Sequence, residues 1–144
     1  MFKIEKKPFG FKLIFSDSIP VEEMKQWVDD SKKALTGHSG KFGVLVDMRS
    51  LKPLKPEVQA VMVEGQKEYK GKGMERSAVA LANSVIALQF KRLAQESGIY
   101  QWERYVDGSK EEQWEKVAEA WIVNGKDPDK EKAQFVELDC AGVL

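Results

Sequence analysis

Phe42-Gly43-Val44-Leu45-Val46-Asp47-Met48 is a short run, apolar except for Asp47 and too brief to be a well-formed helix. A run of this length without polar alternation suits a central β-strand covered on both faces. Ser77-Ala78-Val79-Ala80-Leu81-Ala82 repeats the pattern. The segment between them reads as a helix. Leu51-Lys52-Pro53-Leu54-Lys55 forms the approach, Pro56 stands at the first helical position, and Val58, Val61, Met62, Gly65 and Tyr69 recur on one face until Gly71 and Gly73 end it. A buried strand, a helix and a second buried strand make a parallel crossover, which decides the fold class.

The flanks extend the same alternation. Upstream, Phe9, Phe11, Leu13 and Phe15 alternate with Gly10, Lys12 and Ile14, near the period of a half-buried strand; residues 2–6 form a strand before it, turned at Pro8 and Gly10. Ser16 to Ser18 offer polar caps and Pro20 suits a first helical turn. Val21, Met24, Val28, Ser31 and Leu35 then follow at helical spacing with Trp27 beside them, and Gly37 is the stop. Downstream, Asn83-Ser84 caps a helix bearing Ile86, Phe90, Leu93, Ala94 and Ser97 on one face, and Gly98 ends it. Tyr100 to Val106 reads as a strand. Ser109-Lys110-Glu111-Glu112 has the spacing of a capping box before Trp114, Val117, Ala118, Trp121 and Ile122, with Gly125 as the end. The expected fold is α/β: a mixed, mostly parallel five-stranded sheet with an N-terminal antiparallel hairpin and four helices. Residues 1–125 form one domain. Residues 126–144 are a tail, with Phe135 to Leu138 as an extra strand or docking arm.

The 144 residues carry 23 basic and 23 acidic side chains, so the surplus of positive charge that phosphate neutralisation demands of a nucleic-acid binder is missing. A single cysteine, Cys140, excludes an intrachain disulfide and fits a reducing compartment. Residues 1–8 lack the apolar core of a secretory signal, and no run approaches the ~18 apolar residues of a membrane span. A cytoplasmic location is therefore expected.

Four phrases, Gly43-Val44-Leu45-Val46-Asp47-Met48, Ser77-Ala78-Val79-Ala80-Leu81-Ala82, Glu103-Arg104-Tyr105-Val106 and Glu119-Ala120-Trp121-Ile122, in this order of elements, resemble the STAS-like superfamily, which includes the anti-sigma-factor antagonists and a SpoIIAA-like bacterial branch. The resemblance spans residues 1–123. It implies a non-enzymatic protein with a helix-backed sheet. In the antagonists a partner kinase phosphorylates a serine at the start of the second helix, within Asp-Ser-(Ser/Thr)-Gly. Here the matching stretch runs Asp47-Met48-Arg49-Ser50-Leu51-Lys52-Pro53-Leu54-Lys55-Pro56. Ser50 is its only hydroxyl and lies several residues before the helix, so the resemblance does not extend to that switch.

Catalytic constellations are scarce. His38, the lone histidine, sits in Thr36-Gly37-His38-Ser39-Gly40, which reads as a solvated turn lacking the third group that holds a catalytic imidazole. One histidine and one cysteine do not make a zinc site. Gly71-Lys72-Gly73 lacks the spacing of a phosphate loop. Glu64/Glu68 and Glu111/Glu115 pair at helical spacing among lysines, as solvated faces do. Neither a cofactor nor a metal is expected. Trp114 and Trp121, one heptad apart, read as core, with a ligand pocket or partner groove as the competing use.

Position supplies the candidate site. Open α/β sheets bind ligands beyond the carboxyl ends of parallel strands. Those ends carry Asp47, Arg49 and Ser50; Asn83 and Ser84; Asp107 and Ser109. Converging near two helix N-termini, they would suit an anion or an acidic group of a partner, although Asn83 and Ser109 also have capping work to do. The leading expectation is a regulatory module binding a protein partner. The alternatives are a carrier of a small apolar or lipid-like ligand, which would need a closed apolar cavity beneath the tryptophan-bearing helix, and a homodimeric scaffold using the tail.

Overall fold

Alternating side chains in the second strand govern how the molecule is layered. In the computed structural model, which describes residues 1–110 and 112–129, β1 (Phe2–Lys7) and β2 (Gly10–Asp17) pair antiparallel from Phe2↔Phe15 to Lys7↔Gly10. Phe11, Leu13 and Phe15 are nearly inaccessible to solvent on one face of β2, while Lys12, Ile14 and Ser16 take the other. β3 (Phe42–Leu51), β4 (Met74–Leu81) and β5 (Glu103–Asp107) then add in parallel, giving the order β1-β2-β3-β4-β5.

The connecting helices are α1 (Val21–Thr36), α2 (Pro56–Gly71) and α3 (Ser84–Ser97). Crossovers of one hand, always stepping toward the same edge, place all three on one face of the sheet. Their stripes (Met24, Trp27, Val28 and Leu35; Val58, Val61, Met62 and Tyr69; Ile86, Phe90 and Leu93) bury the larger core against Phe11, Leu13, Phe15, Val44, Val46 and Val79. The β-branched run in α2 does not prevent the helix, because Pro56 opens it and its buried stripe anchors it. α1 and α2 pack closely at Gly65: a Cβ there would lie 2.0 Å from Cζ3 of Trp27. Among the described residues a fourth helix, α4 (Trp114–Asn124), covers the other face, with Trp114, Ala118, Trp121 and Ile122 on Leu45, Ala78, Ala80 and Val106.

Fold class, strand number and helix number follow the sequence reading, but some local expectations do not. Pro20 is the N-cap of α1 rather than a residue of its first turn, and no side chain caps that helix. Tyr100–Trp102 is a 3-10 helix, so β5 starts later than expected, and β3 runs past Met48 to include Arg49 and Ser50. The capping box is not used: α4 begins at Trp114 with Gln113 as N-cap, because Asp107 has already captured Ser109 in an Asx turn. His38 is not a solvated turn residue. Its ring meets Phe42 edge-on at 4.9 Å and Phe11 at 5.7 Å. Cys140, Glu111 and the expected strand at Phe135 to Leu138 lie outside the described residues.

Candidate functional site

At the carboxyl edge, β4 stops at Leu81 and the chain enters α3 through Asn83. Asn83 is extended (φ −141°, ψ 129°), and its Oδ1 accepts from the Val85 N–H at 2.7 Å and the Ile86 N–H at 3.4 Å. That is the cap expected from sequence. Ser84 follows, exposed, as the first helical residue. On the neighbouring strand Asp107 accepts from the backbone N–H of Ser109 at 3.0 Å and from its hydroxyl at 2.6 Å. Those bonds hold the Asp107 carboxyl below the usual carboxylate range.

Asn83, Ser84 and Asp107 line one open cleft of about 250 Å³ between α3 and β5. Leu81, Ala87 and Tyr105 form its apolar wall. The arrangement offers a carboxylate, an amide and a hydroxyl around a small apolar floor, which suits seating a side chain with hydrogen bonds at its rim.

Asp47 and Arg49 do not line this cleft. They form a bidentate pair, Arg49 Nε to Oδ1 at 2.9 Å and Nη2 to Oδ2 at 3.0 Å, on the α4 side of the sheet. Burial raises the Asp47 pKa, but the Arg49 side-chain and backbone hydrogen bonds outweigh it and leave the carboxyl below its ordinary range. The Arg49 guanidinium stands 4.5 Å from the Trp114 ring centroid, and its stem lies against Gly108, where a Cβ would fall 2.6 Å from Cδ. Lys12 approaches the same ring at 5.9 Å and bonds Glu115 at 2.8 Å. The expected convergence thus divides into a cleft on the α3 side and a charge cluster around Trp114. Ser50 is exposed on β3, opposite Ser16 in register, and belongs to neither. A bulge causes this: between Ile14↔Asp47 and Ser16↔Ser50 one extra residue of β3 is accommodated.

One group at the cleft escaped the sequence reading. The Tyr105 hydroxyl donates to Glu103 Oε2 at 2.6 Å, and Ser77 donates to Oε1 at 3.0 Å. Glu103 is buried, and loss of solvation pushes its pKa up to about 7 against those two hydrogen bonds. Burial, followed by the neighbouring Glu103, raises the Tyr105 pKa as well. The available signal was parity: period two places Glu103, Tyr105 and Asp107 on one face of β5.

Glu103 also borders an interior cavity of about 30 Å³ with Trp27, Met62, Tyr69 and Phe90. It lies beneath α1–α3, not beneath α4, where the carrier reading looked for it. It has room for about one water molecule. Among the described residues, no group of three His, Cys, Asp or Glu side chains gathers as a metal site requires, and no helix is long and apolar enough to cross a membrane.

No family model and no curated protein matches the chain. Among solved structures, it is similar to a protein of the DUF3478 family with a SpoIIAA-like fold from Shewanella loihica PV-4: 16% identity, TM-score 0.59, over 85% of this chain and 92% of that one. It also aligns with an anti-sigma-factor antagonist (STAS) domain protein from Planctomyces limnophilus at 18% identity and TM-score 0.46, over 76% of this chain and 92% of that one. The chain therefore has a SpoIIAA-like fold, as the resemblance implied.

Proposed function

We propose that the chain is a non-enzymatic binding module of regulatory type whose partner is a protein that docks at the carboxyl edge of the sheet. One observation carries the reading: beside the cleft, α3 turns Val85 (52% exposed) and Leu88 (70% exposed) to solvent one helical turn apart. Lys91 and Arg92 continue that exposed helix, and Asp107 and Asn83 supply hydrogen-bonding groups at the cleft. An apolar anchor ringed by polar groups is the common anatomy of protein interfaces. The SpoIIAA-like fold agrees with a regulatory role, and the single cysteine suits a cytoplasmic one.

A photo-crosslinking residue placed at Ser84 or Leu88, in the cell that makes the protein, tests this. A discrete protein adduct is expected from both positions, lost with Val85→Asp and absent when the crosslinker replaces Lys33 at the far end of α1. Equal adducts at position 33, or none at 84 and 88, would remove the reading.

A further inference from the structure

A second cleft opens at the opposite edge, where the amino ends of β3, β4 and β5 meet. Lys41 precedes β3, Lys70 stands in the last turn of α2, Gly73 leads into β4 and Met74 opens it, and Trp102 closes the 3-10 helix before β5. With Glu75 they bound about 420 Å³, within the ~300–1,000 Å³ typical of small-molecule sites. At Gly73 (φ +114°) the wall is bare backbone: a Cβ would lie 2.9 Å from the Gly40 carbonyl oxygen.

Three features give this cleft a chemistry. Trp102 is 42% exposed, whereas Trp27, Trp114 and Trp121 are 2–7% exposed, so this side chain forgoes a sizeable share of its burial free energy. Its place is nevertheless fixed. The Trp102 backbone N–H donates to the Ile99 carbonyl at 2.9 Å, and the Trp102 backbone carbonyl accepts from the Trp121 indole N–H at 3.2 Å. Third, the flanking charge is positive and unspent. The Lys70 ammonium lies 5.7 Å from the Trp102 ring centroid, and among the described residues neither Lys41 nor Lys70 has a carboxylate within ion-pair distance, while Glu75 is engaged by Arg76 at 3.8 Å.

We propose that this cleft binds a small aromatic anion, its ring against Trp102 and Met74 and its carboxylate or phosphate between Lys41 and Lys70. An ammonium pair supplies charge-assisted hydrogen bonds, and the exposed indole supplies the apolar surface that a purely inorganic anion would not use. This site is independent of the docking edge at the other end of the strands.

The experiment uses the tryptophan distribution. Because only Trp102 is substantially exposed, quenching of intrinsic fluorescence by neutral acrylamide reports mainly on that ring. Benzoate or phenyl phosphate should protect it, the preferred one identifying the head group; benzamide and acetate should not. Lys41→Met with Lys70→Met should weaken protection by at least roughly tenfold, since each lost charge-assisted hydrogen bond is worth about that factor or more. Lys33→Met should behave as the parent. Equal protection by benzamide would mean a plain apolar patch and overturn the proposal. So would unchanged affinity in the double variant, or no protection by either anion at roughly 10 mM, an affinity too weak for a built site.

Discussion

Glu103 shows how one side chain ties stability to pH. Folded, it holds its proton up to about pH 7; unfolded, it would release it near the ordinary glutamate value of 4.5. The folded state therefore binds more protons between those values. The stabilisation is fully present below about pH 4.5 and is lost as pH rises through about 7. A shift of this size corresponds to roughly 3 kcal/mol. Glu103→Gln keeps a carbonyl acceptor for Ser77 or Tyr105 and removes the titration. The difference in urea midpoint between variant and parent should be small at pH 4.5 and grow in the variant's favour up to pH 7. A flat difference would place the Glu103 pKa near its ordinary value. A strand containing Glu103-Arg104-Tyr105 does not announce a buried carboxylic acid. Parity locates the face, but only the docking of α3 and the 3-10 helix over Ser77 and Glu103 decides that it is shut off from bulk solvent.

Elements meet through residues whose cost depends on both partners. Gly65→Ala would normally favour a helix by up to about 1 kcal/mol. Here the new methyl would fall 2.0 Å from a Trp27 ring that is stacked on Tyr69 at 5.8 Å and meets Phe15 at 5.2 Å. Overpacking costs about 1–3 kcal/mol, so the net effect should be destabilising by about 1–2 kcal/mol in denaturant unfolding. Trp27→Phe should recover part of it in the double variant, and additive effects would show that the two helices adjust independently. Periodicity made α1, α2 and α3 readable nearly residue by residue, Gly65 on the α2 face included. It could not show what Gly65 faces. Terminal chemistry was read well where the cap is local, as at Asn83, and wrongly at Ser109, where an aspartate two residues earlier competes for the same hydrogen bonds. The candidate site divided for a similar reason: Asp47, Asn83 and Asp107 all read from sequence as strand ends, but a bulge and the choice of sheet face are properties of pairing that spacing does not encode.

At the scale of the molecule the described residues are arranged asymmetrically: three of their helices cover one face of the sheet and one covers part of the other. Trp121 secures that single helix. Its indole N–H donates to the Ser77 carbonyl at 2.9 Å, and Arg104 lies 4.2 Å from its ring centroid. Arg104 also holds Asp127 through two hydrogen bonds, at 3.0 and 3.1 Å. A chain shortened to residues 1–108 would bare Leu45, Ala78, Ala80 and Val106 together. It should self-associate in sedimentation and lose a single cooperative thermal transition; a monodisperse, cooperatively melting product would show that the larger core suffices alone. The order β1-β2-β3-β4-β5 has one more consequence, for synthesis on the ribosome. Each strand pairs with the one made just before it, and none has to be threaded between neighbours already joined. Assembly can thus proceed vectorially, with short loop closures, as the chain emerges. Until the segment holding Trp114 and Trp121 has left the exit tunnel, the nascent sheet has one naked side, and that interval is when a chaperone would find it.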